Sequence, residues 1–425
     1  MVKKGYKQTE IGVLPEDWKI STLEVQYNIT SSKRVFQSEW RDSGIPFYRA
    51  REIAVMGEGV PAPKGLYISE EMYERYSKQY GTIKENDVLI TGVGTLGKVY
   101  VVKKDDRFYF KDGNIIWLQW NGQYSSQFLK QLYRTPALID QVFGNSGGST
   151  VPTYTITNAK ATIVPCPDYS EQCEIAEVLS SVDTLIAVIE KQLSKKKAIK
   201  QGTMQELLTG KCRLPGFSGE WETFVFGDLF DFIPNNAFTR AQLSDSGKVK
   251  NIHYGDILTK FGAYISADSN EIPYIEREID LSRFAEKSYL QSGDIVIADT
   301  AEDDTVGKAL EVINVECPVL AGQHTLLCRP IANFAEKFLG YYLNAACYHD
   351  QLLPFIVGTK VSSVSKANIA QTRLVVPKYE EQQAISCVLS DMDDEITELE
   401  QKLEKYRQVK KGMMQQLLTG KIRLV

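Results

Sequence analysis

The chain has 425 residues, of which 43% are hydrophobic and 24% are charged, and its formal net charge is −5. The length predicts about two or three domains, and the composition excludes a largely disordered chain. No apolar run reaches the roughly 18 residues of a membrane span, and the seven cysteines contain no C-x-x-C pair, so we expect a cytoplasmic protein without a disulfide framework or a membrane anchor.

Residues 1–165 predict a domain built from short strands. Apolar runs broken by Gly, Pro, Asn and Asp occur at 87–91, 98–102 and 114–120, and a helix is predicted over 126–133. Such runs are typical of an irregular, curved sheet. The region is therefore expected to be an α+β domain.

Residues 166–214 predict one long helix. Its apolar residues recur with a period of 3.5, which is the period of a coiled-coil seam. We expect the helix to end at Thr209-Gly210, because glycine suits the left-handed position after a helix. The predicted seam consists of Ile175, Leu179, Val182, Ile186, Ile189 and Leu193.

The second half of the chain repeats this order. Residues 167–214 and 377–424 align at an offset of 210 without a gap and are identical at 24 of 48 positions, which indicates a duplication. Residues 215–376 predict a second α+β domain, with strand-like runs at 294–298 and 324–329 and a helix at 335–343. The seam predicted in the final region, 377–425, consists of Ile385, Leu389, Met392, Ile396, Leu399, Leu403 and Tyr406.

Two seams in one chain most simply bury each other, which favours two similar halves with approximate two-fold symmetry. The alternative is that each helix packs only against its neighbouring domain. A helix of 37 residues would be about 55 Å long at 1.5 Å per residue.

Two motifs suggest chemistry that the surrounding sequence does not support. Gly92–Lys98 matches a phosphate-binding loop, but Val99 stands where Ser or Thr binds Mg²⁺, and a strand-like run follows. We expect a hairpin loop there, with Lys98 able to touch a phosphate. Glu302-Asp303-Asp304 is expected to be a solvated loop, and we predict neither a metal site nor a catalytic residue.

Basic and hydroxyl side chains on loops suit contacts with phosphates and base edges. The net charge is +4 over residues 1–164 (21 basic, 17 acidic) and −8 over 215–376 (13 basic, 21 acidic), so DNA contacts in the second half must use local clusters. The candidate DNA-binding residues are Lys33, Arg34, Arg49, Arg51, Lys98, Ser146, Ser149, Thr150, Lys248, Lys250, Lys260, Lys308, Thr359, Lys360 and Ser362.

Several short elements occur together in a fixed order. They are the opening segment Thr9–Trp18, the Gly148–Pro152 element, the Pro-x-x-x-Glu-Gln start and Leu-Leu-Thr-Gly-Lys-x-Arg-Leu end of each helix, and the midpoint Pro215–Trp221. This combination resembles the specificity subunits of type I restriction–modification systems over the whole chain. The second half departs from the pattern, with Val361-Ser-Ser in place of Thr-Val-Pro.

The resemblance implies two target-recognition domains with curved sheets, joined by two long helices that form an antiparallel coiled coil with pseudo-two-fold symmetry. Each domain would read one half of a split, asymmetric site in double-stranded DNA. The helices would set the gap and dock two modification subunits, which would hold S-adenosylmethionine and methylate adenine N6. Restriction subunits would add cleavage, and this chain would need no cofactor.

Two other functions are kept as alternatives. A coiled-coil scaffold without a DNA function would have the same helices but no salt-sensitive DNA binding. A phosphate-loop enzyme would bind a nucleotide through Lys98, which we do not expect.

Overall fold

The computed structural model describes residues 4–144, 152–303, 305–358 and 361–424. The chain divides into two compact units: unit 1 contains residues 1–190 and 402–425, and unit 2 contains residues 191–401. Each unit is a mixed body of strands and short helices together with one half of each long helix. The predicted α+β fold is therefore confirmed.

The elements of unit 1 are short, apart from the long helix that leaves it. The strands are β1 (Tyr6–Thr9), β2 (Gly12–Pro15), β3 (Lys19–Thr22), β4 (Tyr27–Thr30), β5 (Ile45–Tyr48), β6 (Leu66–Ile68), β7 (Val88–Thr91), β8 (Val99–Val101), β9 (Tyr109–Phe110), β10 (Ile115–Trp120) and β11 (Ile163–Cys166). The helices are α1 (Leu23–Gln26), α2 (Ala50–Gly57), α3 (Glu70–Tyr80), α4 (Ser126–Leu132), α5 (Pro136–Gly144), α6 (Ile156–Ala161) and α7 (Tyr169–Leu207), which continues into unit 2.

Unit 2 has a similar set of elements. The strands are β12 (Glu222–Val225), β13 (Phe230–Ile233), β14 (Leu243–Ser244), β15 (Lys250–Ile252), β16 (Tyr264–Ser266), β17 (Tyr274–Ile275), β18 (Ile295–Ala298), β19 (Thr300–Ala301), β20 (Ala309–Ile313), β21 (Val319–Ala321), β22 (Thr325–Pro330), β23 (Ser362–Ser363) and β24 (Arg373–Val376). The helices are α8 (Phe226–Leu229), α9 (Tyr254–Thr259), α10 (Phe338–Leu343), α11 (Ala346–His349), α12 (Lys366–Ala370) and α13 (Tyr379–Leu417), which continues into unit 1.

Each unit has one central sheet. In unit 1 its strand order is β4-β10-β7-β8, and in unit 2 it is β13-β22-β18-β20-β16. Beside it lies a smaller sheet with one parallel pair, β5 with β9 in unit 1 and β15 with β21 in unit 2. The two units therefore share a topology although their body sequences have diverged.

The central strands are apolar throughout because both of their faces are covered. In β7, Val88 and Ile90 belong to the core that includes the start of α7, whereas Leu89 faces a second cluster with Ile53 and Phe110. The strand β18 alternates in the same way between two clusters. A strand buried on both faces gives a continuous apolar run instead of strict alternation.

Most of the predicted short elements are confirmed within a residue or two of their bounds. The runs at 87–91, 98–102 and 114–120 form β7, β8 and β10, and those at 294–298 and 324–329 form β18 and β22. The helix predicted from 335 begins only at Phe338. The backbone of Lys337 is left-handed, with φ 68°, so it cannot belong to the helix.

The two long helices have 39 residues each and end close to the predicted position. Gly210 and Gly420 follow their last turns with φ of 67° and 65°, the left-handed conformation that costs glycine least. Every residue of the two predicted seams is buried or half-buried.

The helices run antiparallel where they pack together in unit 1. Asp183 and Glu190 of α7 form ion pairs with Lys410 and Arg407 of α13, the second at 2.7 Å. As the residue number rises on one helix it falls on the other, which establishes the antiparallel direction.

Unit 2 contains the same two ion pairs with the helices exchanged. Lys200 of α7 pairs with Asp393 of α13, and Lys197 pairs with Glu400 at 2.6 Å. At the offset of 210, Asp393 and Glu400 correspond to the acidic partners in unit 1. The duplication has therefore preserved the pairing register as well as the seam.

Glu311 of β20 is a buried carboxylate that holds the start of α10. Its side chain is 2% exposed and accepts hydrogen bonds from the backbone N–H groups of Lys337 at 2.6 Å and Gly340 at 2.8 Å. Burial raises the pKa of Glu311 to about 7. This pKa is higher than that of a glutamate in the unfolded chain, so the protonated Glu311 side chain contributes to the free energy of unfolding. The contribution is complete below about pH 4.5 and is lost as the pH rises through 7.

We expect Glu311→Gln to remove this pH dependence, because the amide does not titrate. Its one oxygen can accept from only one of the two backbone N–H groups, so the variant should also be less stable at every pH. Between pH 5 and 8 the protection of the α10 amides should fall by up to about 70-fold in the native chain and stay nearly constant in the variant. Hydrogen exchange by mass spectrometry, corrected for intrinsic exchange, measures this over residues 338–343. Asp303→Asn, at an exposed carboxylate, is the control, and equal pH profiles for native chain and Glu311→Gln would contradict the assignment.

Candidate nucleic-acid interface

In unit 1 the end of the chain is tied to its beginning through Arg423. Its guanidinium contacts Glu171 at the start of α7, with Nε 2.5 Å from Oε1, and also contacts Asp17 at 2.9 Å. The indole N–H of Trp18 donates to the same Glu171 carboxylate at 3.1 Å. The Glu171 side chain is 1% exposed, so this buried carboxylate depends on its partners.

Unit 2 repeats this joint with Arg213 and Glu381, at 2.5 Å. The guanidinium of Arg213 lies 5.6 Å from the ring of Trp221, as that of Arg423 lies 5.8 Å from the ring of Trp18. These residues were not among the candidates predicted from the sequence. The repeat could have revealed them, because an arginine lies near the end of both repeated segments and a glutamate lies near the start of both.

Four chain segments meet at one end of the central sheet of unit 1. The Ser31 hydroxyl donates to the carbonyl of Ile115 at 3.0 Å, the N–H of Gly92 donates to the carbonyl of Asn114, and the N–H of Tyr154 donates to that of Gly92, both at 2.9 Å. These bonds join the loop after β4, the β7–β8 loop, the turn before β10 and the segment before α6. We call this group the unit 1 loop cluster.

Corresponding hydrogen bonds between loops form a unit 2 loop cluster. Asn235, after β13, donates through Nδ2 to the carbonyl of Gly322 at 3.0 Å. The N–H of Asp299 donates to the carbonyl of His324 at 3.2 Å, and the N–H of Val364 donates to that of Asp299 at 2.9 Å. His324 and Val364 lie 210 residues after Asn114 and Tyr154. Each unit thus brings together loops that the sequence leaves far apart.

The unit 1 loop cluster carries exposed cations beside aromatic rings. Arg34 Nε lies 3.1 Å from Asp112, and Lys111 approaches the same carboxylate at 3.9 Å. The ammonium of Lys33 lies 5.3 Å from the ring of Tyr80. Two guanidinium or ammonium groups thus share one carboxylate, which leaves positive charge available to a phosphate.

The candidates Arg49 and Arg51 lie on either side of the start of α2, and the carbonyl of the adjacent Tyr48 accepts from Lys111 N–H at 2.8 Å. Arg49 is paired with Glu52 at 3.2 Å, and the Glu52 carboxylate also accepts a hydrogen bond from the Arg49 backbone N–H at 2.9 Å. Arg51 is exposed to solvent. This helix start is therefore adjacent to the unit 1 loop cluster.

The predicted hairpin at Gly92–Lys98 is confirmed by the antiparallel pairing of β7 with β8. Lys98 forms an ion pair with Glu58 at 2.7 Å, and Arg134 approaches the same carboxylate at 3.5 Å. They line a groove of about 480 Å³ together with Lys130. Arg134 is also paired with Asp183 at 2.9 Å, so the positive charge of this groove comes mainly from Lys98 and Lys130. Lys130 and Arg134 were not among the candidates predicted from the sequence, because they lie on α4 and just after it.

The unit 2 loop cluster is built from neutral and acidic side chains. His324 Nδ1 lies 3.7 Å from Asp299 Oδ1 and 3.4 Å from the Thr300 hydroxyl. The Gln323 amide lies 3.3 Å from Nε2, and the Tyr254 ring meets the imidazole edge-on at 5.3 Å. The acidic residues of the second half thus include Asp299 within the unit 2 loop cluster.

The basic candidates of unit 2 lie in different environments. Lys248 is exposed, and Lys260 is exposed with its ammonium on the Glu271 carbonyl at 2.6 Å. Lys250 is 3% exposed, and its ammonium donates to the carbonyls of Ala267 and Ser269. Lys308 is half-buried and donates to the Phe261 carbonyl at 2.9 Å, and desolvation lowers its pKa. In this conformation Lys250 has no exposed ammonium to offer a phosphate.

Several candidates lie outside the described residues: Ser146, Ser149, Thr150, Thr359 and Lys360. Ser362 is described, and it pairs with Ala301 in the short ladder of β23 with β19. This ladder attaches Ser362 and Ser363 to the unit 2 loop cluster.

The outer surface of α7 carries an apolar stripe in unit 1. Leu185 and Val188 are 36% and 47% exposed, on the side of the helix next to the seam. At the offset of 210, α13 has Glu395 and Glu398 instead. Exposed apolar side chains at helical spacing are typical of a surface that another helix covers.

Among the described residues, no group of three His, Cys, Asp or Glu side chains is placed to hold a metal ion. Within the same parts of the chain, no helix is long and apolar enough to cross a membrane.

The model of a known family matches both halves of the chain. The type I restriction modification DNA specificity domain matches residues 15–199 and again residues 218–406. The chain belongs to this family. The family assignment agrees with the resemblance found in the sequence, and its two matches fall on the two halves of the duplication.

Curated relatives carry the same description. The type I restriction enzyme MjaVIII specificity subunit of Methanocaldococcus jannaschii is 24% identical over 278 residues, which cover 61% of this chain and 62% of that protein. A second protein of this organism, provisionally assigned as the MjaX specificity subunit, is 22% identical over an alignment of 452 positions, covering 99% of this chain and 97% of its own.

Solved structures show the same fold. The S subunit of the type I restriction–modification system from M. genitalium has a TM-score of 0.60 at 12% identity, covering 94% of this chain and 96% of that one. A chain from a study of complex assembly in a type I system has a TM-score of 0.50 at 16% identity, covering 96% and 99%.

We expect Arg423→Met to destabilise unit 1 by about 2–4 kcal/mol, because it leaves the buried Glu171 carboxylate without its cation. Urea unfolding followed by tryptophan fluorescence suits this test, since four of the five tryptophans precede residue 190. Lys421→Met, two residues away at an exposed position, is the control. Equal unfolding midpoints for the two variants would contradict a structural role of this joint.

Proposed function

We propose that this chain is the DNA-specificity subunit of a type I restriction–modification system, and that each unit reads one half of a split, asymmetric DNA site. The observation that carries the proposal is the pair of loop clusters. Both are held by corresponding hydrogen bonds at the end of a central sheet, but they present different side chains. A conserved frame with different exposed groups is what two readers of different sequences require.

In unit 1 the cations are proposed to position the DNA backbone. Lys33, Arg34 and Lys111 surround the loop cluster, and Lys98 lies in the electropositive groove. Each contact with a phosphate releases counterions, so binding by this unit should weaken steeply with salt. Among the described residues, unit 2 has fewer exposed cations at its loop cluster than unit 1, so it would depend on hydrogen bonds to bases and on phosphate contacts made elsewhere.

The domain limits follow the duplication. Residues 1–165 and 215–376 are the proposed target-recognition domains, and 166–214 and 377–425 are the proposed helical regions. A helix of 39 residues has a length of about 58 Å at 1.5 Å per residue, which suits a fixed spacer between two half-sites.

The chemistry is assigned to partner subunits in the cytoplasm. Two modification subunits would bind S-adenosylmethionine and transfer a methyl group to adenine N6, and restriction subunits would cleave unmodified DNA. This chain would contribute recognition and docking surfaces and would not be an enzyme by itself. The apolar stripe of α7 is the proposed contact for a helix of one modification subunit, since it continues the surface beside the paired seams.

The proposal is tested by a methylation map. The chain is expressed with candidate modification subunits from its source genome, and plasmid DNA is sequenced for N6-methyladenine. We expect a two-part motif with a fixed gap that disappears when this chain is omitted. If a soluble complex forms but methylates nothing and shows no salt-sensitive DNA binding, the chain is a coiled-coil scaffold instead.

We expect Val188→Glu to weaken copurification of the modification subunit at least tenfold, because burying a charge in an apolar helix contact is costly. Ala187→Glu adds the same charge on the opposite flank of α7, where the residue is also exposed, and should copurify normally. Affinity capture at matched expression measures both variants. Equal capture would show that the stripe is not a docking surface.

A further inference from the structure

The turn before β22 contains a strained residue in the middle of the unit 2 loop cluster. His324 has φ 54°, a left-handed conformation that is uncommon for any residue except glycine and costs free energy. Its side chain is 45% exposed, so burial of the imidazole does not repay this cost.

The turn does not need a histidine to form. Unit 1 makes the corresponding turn with a glycine in the left-handed region, Gly113 at φ 70°, directly before Asn114. Asn114 is the counterpart of His324 at the offset of 210. Unit 1 thus places its left-handed residue one position earlier, on a glycine, whereas unit 2 places it on His324, where it costs more.

Neighbouring groups hold this turn rigidly. Asn235 Nδ2 donates to the carbonyls on both sides of the histidine, those of Gly322 at 3.0 Å and Thr325 at 2.5 Å. The Gly322 N–H donates to the Ile252 carbonyl at 2.9 Å, and a Cβ on Gly322 would come within 2.8 Å of that oxygen. Strain persists where the surroundings fix the backbone in this way, and such sites are often functional.

The neighbours of the imidazole also orient it. Asp299 and Thr300 face Nδ1, at 3.7 Å and 3.4 Å, so we assign the ring proton to Nδ1. The other nitrogen, Nε2, is then a hydrogen-bond acceptor. The Gln323 amide nitrogen lies 3.3 Å from Nε2 and donates to it in this conformation. A base amino group would take the place of this contact, and the Gln323 amide, which has both a donor and an acceptor, could then pair with the same base.

We propose that His324 is a specificity-determining residue of unit 2, and that its Nε2, together with the Gln323 amide, accepts a hydrogen bond from the exocyclic amino group of a base in that half-site. Adenine N6 and cytosine N4 are the bases that present such a group in the major groove, and a glutamine amide pairs well with adenine. This inference rests on the function proposed above and adds the residue and the class of base edge that it reads.

The test uses the complete complex with its modification subunit. His324→Gly removes the imidazole and also relieves the strain. After the motif has been mapped, we expect this variant to lose about tenfold in discrimination at one base pair of a single half-site, with the other half-site unchanged. Asn314→Gly is the matched control, because Asn314 has φ 51° in the same unit and follows β20 at the end of the strand away from the loop cluster.

A base analogue identifies the group that is read. Replacing the critical adenine by purine, or the critical cytosine by pyrimidin-2-one, deletes only the amino group. This should weaken binding about tenfold for the native complex and hardly at all for His324→Gly. Equal losses in both complexes would overturn the proposal.

The remaining outcomes are also decisive. If His324→Gly methylates the native motif with native stringency, the inference is wrong although the proposed function stands. If the native complex yields no two-part motif, the proposed function fails first. If both His324→Gly and His324→Asn lose cooperative unfolding, His324 has a structural role, because glycine and asparagine both tolerate the left-handed backbone.

Discussion

The antiparallel packing of α7 on α13 is the constraint on which the rest of the structure depends. Each unit takes the first half of one helix and the second half of the other, so unit 1 is built from two separate stretches of chain, 1–190 and 402–425, whereas unit 2 is the continuous stretch 191–401. The apolar seam supplies the association, and the ion pairs of Asp183 with Lys410 and of Lys200 with Asp393 fix the direction and register. A parallel arrangement would place these charges on the wrong partners.

The long helices are joined to the bodies by a repeated set of contacts. Ile175 and Leu179 of α7 belong to the core of unit 1, and Ile385 and Leu389 of α13 belong to the core of unit 2. The arginine–glutamate joint, Arg423 with Glu171 in unit 1, seals the same region. Because each helix start is fixed in a core, the body and its helix form one cooperative unit.

The loop clusters show how one frame can serve two different readers. Backbone hydrogen bonds make most of the contacts between the loops at the end of each central sheet, and these do not depend on which side chains the loops carry. The side chains of Ser31 in unit 1 and Asn235 in unit 2 add further bonds. Unit 1 places Lys33 and Arg34 there, whereas unit 2 places His324 beside Asp299. The backbone can thus stay constant while the exposed groups change, which separates folding from specificity.

The sequence by itself determined the duplication, the helical regions and the family, because these rest on local periodicity and on identity at a fixed offset. It also identified β7, β10 and β22, whose runs are strongly apolar. Only the tertiary structure decided which loops meet, since hydrogen bonds such as that from Gly92 to Asn114 join residues whose distance apart in space no local pattern encodes. The burial of Lys250 and the left-handed backbone of His324 likewise follow from the packing around them. A sequence pattern can mark a lysine as a possible phosphate ligand, but it cannot show whether that lysine is exposed or buried.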